Sequence, residues 1–158
     1  MKRLIMVAMM TLCGGAMSAQ QNPAKPASPL PALKRLATPQ AVVNEHVAAL
    51  NACDWNRLMA QYPEDAELFF PGGQVIKGRQ AIGDLFRDFV KPHAQGGLCG
   101  LTFTAEQSLT LGTTLNVQWR ATAPFLSAPY LGADAYGTKD GLMQGQVTTF
   151  DGTQLKMK

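Results

Sequence analysis

Apolar positions in the first part of the folded region fall at helical spacing. Val42, Val43, Val47 and Leu50 recur at steps of three and four after Thr38 and Pro39, a pair suited to cap a helix and fill its first turn. In this first helix His46 takes the step between Val42 and Leu50, so a polar ring faces the core. Asp54 is placed to cap a second, short helix from Trp55 to Gln61, which Pro63 ends. The period then changes to two: "AELFF" puts Ala66, Leu68 and Phe70 on one strand face, "PGG" at 71–73 turns the chain, and "QVIK" makes a second strand. A third helix follows Gly78 with the stripe Ile82, Leu85, Phe86, Phe89 and Val90, and Pro92 with Gly96 and Gly97 closes it.

The remaining third reads as a meander. Strands are expected at 98–109, 114–124 and 140–150, with a last one at 153–158 after the turn Asp151–Gly152. The stretch "FLSAPYLGADAYGT" at 125–138 is longer than a tight hairpin needs and is expected to project as a loop or flap. Helices first and an antiparallel sheet afterwards define an α+β domain, with the helices packed on one side of a curved sheet.

The N-terminus changes this picture by adding a compartment. Lys2 and Arg3, an apolar run from Leu4 to Leu12 and small residues from Gly14 to Ala19 have the layout of a secretory signal over residues 1–19, too short to span a bilayer. Leu12 directly before Cys13 argues against a lipid anchor. Residues 20–37 carry Pro23, Pro26, Pro29 and Pro31 and no periodic pattern, so they are read as an extended, largely disordered tether before a single domain at 38–158. The expected location is periplasmic or secreted, with no stable membrane span once the signal is removed.

The formal charge of +3 belongs to this leader: residues 38–158 hold 9 basic and 11 acidic groups, and the cations are scattered singly. A phosphate backbone needs a basic stripe, so nucleic acid is not an expected partner. Cys53 and Cys99 are the cysteines left in an oxidising compartment. A disulfide between them would contribute about 3–4 kcal/mol by loop entropy, the alternative being two separate buried thiols. With no CxxC, no HxxxH and no Cys-His cluster, neither a metal nor a cofactor is expected.

The segment "VAALNACDWNRLMAQYPEDAELFFPGGQVIKGRQAIGDLF" resembles the first half of the nuclear transport factor 2-like superfamily, its SnoaL-like group, and is similar to bacterial ketosteroid isomerase. The likeness is carried by "ALNACDW", "YPEDAEL" and "KGRQAI", is strongest over residues 41–89 and is topological beyond. It implies a cone, a bent sheet wrapped around the N-terminal helices, with an apolar cavity open at one end. The expected pocket residues are His46, Trp55, Tyr62, Phe70, Phe86, Phe89, Gln144 and Gln146. This superfamily hosts isomerases, dehydratases, cyclases, hydrolases and non-enzymes, so the fold alone does not select an activity.

Residue by residue, the resemblance argues against ketosteroid isomerase chemistry. The isomerase's donor tyrosine falls at His46, its late-strand protonated aspartate falls near Gln146, and its general-base aspartate falls at Phe70, which takes no proton. Substitute carboxylates are poorly placed: Asp65 sits in a turn and Glu67 has the opposite strand parity from Phe70. An Asp140–Arg120 pair would be similar to the epoxide hydrolases of the superfamily, but Arg120 alternates with Trp119 and faces out if Leu115, Val117 and Trp119 face in. The leading expectation is a domain that binds a small apolar molecule without chemistry. The alternatives are an isomerase, dehydratase or cyclase using His46, and a homodimeric interaction module whose outer sheet face would expose Trp119 or Phe103.

Overall fold

A computed structural model describes residues 29–158; the expected signal and the first part of the tether lie outside the described residues. Thr38 caps the first helix with its Oγ1, which accepts from the Ala41 N–H at 3.1 Å, and α1 runs Pro39–Asn51. Cys53, in the left-handed region at φ 52°, turns the chain, and the Asp54 carboxylate accepts from the Arg57 N–H to open α2, Trp55–Met59. Then come β1 (Glu67–Phe69), β2 (Val75–Lys77), α3 (Arg79–Phe89), β3 (Thr102–Leu111), β4 (Thr114–Thr122), β5 (Tyr130–Lys139) and β6 (Leu142–Phe150). The six strands form one curved sheet in the order β2-β1-β6-β5-β4-β3. Every neighbouring pair is antiparallel except β1 with β6, which run parallel with Leu68 beside Gln146.

Helix α1 lies across β3 to β6 and buries Val42, Val43, His46, Ala49 and Leu50 against them. This is the α+β arrangement that the helical and alternating patterns predict, and the cone that the resemblance implies. Strand bulges set which side chains reach its interior. Gln144 is the extra residue where β6 pairs with β5, between Met143 opposite Thr138 and Gly145 opposite Gly137.

The C-terminal half differs from its expected layout. Residues 130–139 are a full strand rather than part of a flap, and the loop shrinks to the segment before Tyr130. The hairpin to β6 turns at Asp140–Gly141, both with positive φ (51° and 76°), the geometry of a two-residue primed turn. Asp151–Gly152 therefore does not open a last strand at 153–158. The Asp151 carboxylate accepts from the Thr153 N–H to cap a 3-10 turn, and Met157 makes an isolated bridge with Leu126. Strand β3 also starts later than expected, at Thr102, because residues 91–101 are spent on turns.

The tether becomes part of the domain well before residue 37. Its described portion is extended, as its prolines predict, but bound: the Lys34 N–H donates to Ala60 O, the Leu36 N–H donates to Gly141 O, and Leu30 packs near Gly83. Arg79, 7 % exposed, donates to Pro31 O at 2.5 Å and to Met59 O at 2.9 Å. A buried guanidinium needs such acceptors, so strap and domain are fastened by a charge-assisted bond. A Cβ on Gly141 would lie 2.4 Å from Leu36 O, and its φ is positive, so only glycine fits under the strap.

Cys53 and Cys99 form a disulfide with Cα atoms 5.6 Å apart, fastening the end of α1 to the loop before β3. Beside it Asn51 clasps the backbone of Phe103, donating to its carbonyl at 3.0 Å and accepting from its N–H at 2.7 Å. Replacing both cysteines with serine is expected to lower stability by about 2–4 kcal/mol in urea unfolding under non-reducing conditions. Gly141→Ala is expected to cost about 1–3 kcal/mol and to make the chain near Leu36 sensitive to limited proteolysis. Unchanged protease resistance there would show that the strap does not depend on Gly141.

Candidate functional site

The helical spacing that turns His46 inward buries it completely, within a cage of rings: Tyr136 at 5.5 Å between centroids, Phe86 at 5.8 Å and Tyr62 at 6.0 Å. Burial alone pushes its pKa down to about 3, so the imidazole is neutral at physiological pH. Its Nδ1 makes a long contact of 3.5 Å with the Tyr62 hydroxyl, and its Nε2 has no partner.

Tyr62 leads from the histidine to a carboxylate. Its hydroxyl donates to Gln146 Oε1 at 3.2 Å, and Gln146 Nε2 donates to Asp134 Oδ2 at 3.3 Å. The Tyr136 hydroxyl donates to the same oxygen at 2.7 Å, while the Thr148 hydroxyl donates to Asp134 Oδ1. The Gln146 amide turns its nitrogen toward Asp134 and its oxygen toward Tyr62, the arrangement that suits an ionised carboxylate, which only accepts. Tyr62 has then spent its one proton, so His46 Nδ1 carries the hydrogen and Nε2 keeps a bare lone pair. The chain of donors runs in one direction, from His46 through Tyr62 and Gln146 to Asp134.

Asp134 is 8 % exposed on the inner face of β5. Desolvation pushes its pKa up, and the hydrogen bonds from Thr148, Tyr136 and Gln146 pull against that shift. The Trp119 N–H also lies close enough to favour the charge, yet it meets no hydrogen-bond geometry to any partner. Tyr62 and Tyr136 are held protonated well past their ordinary range, first by burial and then by the Asp134 charge. The site therefore holds one carboxylate, one neutral imidazole and two tyrosine donors in an otherwise apolar interior. A buried polar atom without a partner costs about 1–3 kcal/mol; among the described residues there are four, of which His46 Nε2 and Trp119 Nε1 lie among the aromatic rings and Gln61 Oε1 and Arg87 elsewhere.

From the network an aromatic file leads outward. Phe86 meets Phe89 at 6.3 Å, Phe89 stacks on Phe103 at 6.2 Å, Phe103 meets Trp119 at 5.4 Å, and Tyr130 follows at 5.8 Å and Phe150 at a further 6.2 Å. Trp119 is buried and Phe103 half-buried, so neither marks an exposed outer face.

Of the expected pocket residues, the structure brings together His46, Tyr62, Phe86 and Gln146, with Phe89 one ring farther out. Trp55 lies elsewhere: its N–H donates to Gly83 O at 2.7 Å and Arg87 sits over its ring. Phe70 is half-buried at the end of β1, its N–H donating to Gln74 O at 2.8 Å. Gln144, displaced by the bulge, donates to Asp65 O and lines an open groove of about 710 Å³ with Phe69, Thr138 and Asp140. Arg120 faces outward to Glu106, and Glu67 outward to Lys77. Asp134 and Tyr136 escape recognition in the sequence because 125–138 reads as a flap; taken as a strand, they share one face at i and i+2, while Thr148, on the expected strand 140–150 and two residues past Gln146, shares that residue's face.

The SnoaL-like domain family matches residues 43–154, and the chain belongs to that family. No curated protein matches the sequence at a significant level. Among solved structures, a putative ketosteroid isomerase from Kribbella flavida is similar at 19 % identity and a TM-score of 0.59, over 72 % of this chain and 77 % of that one. An LEH-like epoxide hydrolase from M. tuberculosis is similar at 16 % identity and a TM-score of 0.59, over 74 % and 85 %. A nuclear transport factor 2-like protein of unknown function from Cytophaga hutchinsonii is similar at 13 % identity and a TM-score of 0.59, over 75 % and 95 %. At these identities the likeness shows the fold, a nuclear transport factor 2-like cone, and leaves the activity open.

The buried histidine predicts an acid response. Its folded pKa is depressed to about 3, so the unfolded chain takes up a proton below its ordinary value near 6.5 while the folded chain does not. Stability from this group is full above that value and falls as pH drops toward 3. Between pH 7 and pH 4 the loss is expected to be on the order of 3 kcal/mol. Urea unfolding of His46→Leu at the two pH values should show a correspondingly smaller difference; an equal difference would mean that His46 titrates normally.

Proposed function

We propose that this domain is exported and binds a small, mainly apolar molecule inside the cone, with the Asp134 network meeting the molecule's polar end. The observation that carries the reading is the pair of unpartnered buried atoms, His46 Nε2 and Trp119 Nε1, within a core of aromatic rings. A purely structural network leaves few atoms unpaired; one that serves a ligand holds groups in reserve. Export is supported by the charged, apolar and small-residue layout of residues 1–19 and by the Cys53–Cys99 bond. No helix among the described residues is long and apolar enough to cross a membrane.

A second reading is an isomerase, dehydratase or cyclase, favoured by Asp134. It stands 3.3 Å from Gln146, the position near which the isomerases' late-strand protonated aspartate falls. Burial raises its pKa in the direction such a donor needs, and His46 Nε2 leaves an unpaired lone pair in the same interior, on a ring that burial makes a weak base. Phe70 still leaves the isomerase's own base without a substitute at that position.

A partner surface is proposed for the outer face of the sheet. Val75, Phe69, Val147, Ala135, Asn116 and Leu109 stand in one register row across all six strands. Of these, Phe69, Val147 and Leu109 are 40 %, 48 % and 58 % exposed. A second copy of the chain would bury this row.

Solvent extraction of the purified, disulfide-bonded protein followed by mass spectrometry tests the binding reading. A molecule recovered from the parent and lost from a folded His46→Ala variant is the expected result. Absence of any bound molecule from the parent, together with a variant that only loses stability, would leave the network as core structure.

A further inference from the structure

Gly132 occupies an unusual place for a glycine, the interior of β5, directly opposite Trp119 on β4 and Phe150 on β6. A Cβ there would lie 2.2 Å from the Trp119 ring. The indole therefore occupies the space a side chain at 132 would fill, between the inward residues Tyr130 and Asp134. Glycine in a strand interior weakens the strand and marks a close approach, and here what approaches is a planar aromatic ring. Phe103 and Tyr130 flank that ring at 5.4 and 5.8 Å, and it is 8 % exposed, at the margin of the core.

The slot also has a polar edge. Asp134 accepts from Thr148, Tyr136 and Gln146, and the Trp119 N–H approaches the remaining one of its about four acceptor directions without reaching hydrogen-bond geometry. The indole N–H is buried beside it with no hydrogen bond. Trp119 is tied to β4 by its own backbone, and that tether holds the N–H off the alignment a strong bond requires. A free molecule of the same shape has no such tether.

We infer that the slot over Gly132 is a ligand ring site for which Trp119 is the internal occupant, and that its ligand is a neutral planar aromatic molecule carrying one hydroxyl or ring N–H. On binding, the indole swings outward, the ligand ring lies on Gly132 between Phe103 and Tyr130, and its single donor completes the Asp134 carboxylate. This rests on the cone-binding reading and names the chemical class and the door.

The protein contains two tryptophans, so Trp55→Phe leaves Trp119 as the sole tryptophan, excited selectively beyond the tyrosine absorption band. In that background p-cresol and its methyl ether, which lacks the donor, are titrated by NMR and by fluorescence. The expected result is binding of p-cresol at least about tenfold tighter than the ether, the step a single charge-assisted hydrogen bond supplies. Trp119 emission should move to longer wavelength with saturation, and Asp134→Asn should erase the preference. Trp119→Leu, or Trp119→Phe if that variant does not fold, should tighten p-cresol binding by removing the competitor.

Equal binding of the two probes, or saturation with Trp119 emission unmoved, overturns the slot while leaving the cone-binding reading in place. If neither probe binds the parent or the Trp119 variants, the slot also fails. A molecule recovered by solvent extraction then still upholds the broader reading, and its absence removes both.

Discussion

A carboxylate on the inner face of a sheet gathers its donors from the strands beside it. Asp134 takes one from its own strand, Tyr136, and two from β6, Gln146 and Thr148. Each of these is a polar residue at a position where the fold would otherwise place an apolar one. The strand pairing that aligns Asp134 with Thr148 is thereby fixed chemically as well as sterically, since a slip by one residue would turn the donors to the outer face. The same carboxylate reaches α1 through Gln146, Tyr62 and His46, so helix and sheet share one polar axis inside the cone.

That axis also explains how far the fold and site were legible. The helices could be read because their signals are local: Thr38 and Asp54 cap, Val42 and Leu50 repeat, and Phe86 falls on the α3 stripe. Strand β5 could not be read as a strand because its inward positions are Tyr130, Gly132, Asp134, Tyr136 and Thr138. None of these carries the apolar alternation of a half-buried strand. They become intelligible only with their partners: Gly132 needs the Trp119 ring above it, and Asp134 needs Thr148 fourteen residues away. Gln144 shows the same limit on a smaller scale, since parity puts it beside Gln146 until the bulge turns it outward. Half of the polar site, His46, Tyr62 and Gln146, was visible; the carboxylate at its centre was not.

The protein shares the cone of its SnoaL-like family and lines it with residues of its own. Phe70 follows β1 as a half-buried apolar ring, and the inward position on α1 carries a ring that burial keeps neutral. What remains is a set of donors and acceptors aligned in one direction, better suited to holding a polar group than to moving protons in a cycle.

The disulfide has a consequence for the integrity of the chain. The bond closes a ring between Cys53 and Cys99, 46 residues apart, and that ring contains all of α2, β1, β2 and α3. A peptide bond cut anywhere inside it produces two pieces that remain covalently joined. Because β1 also pairs with β6, outside the ring, the pieces stay in register with the meander as well. In surroundings rich in proteases, a protein built this way tolerates a nick in its helical half without shedding a fragment.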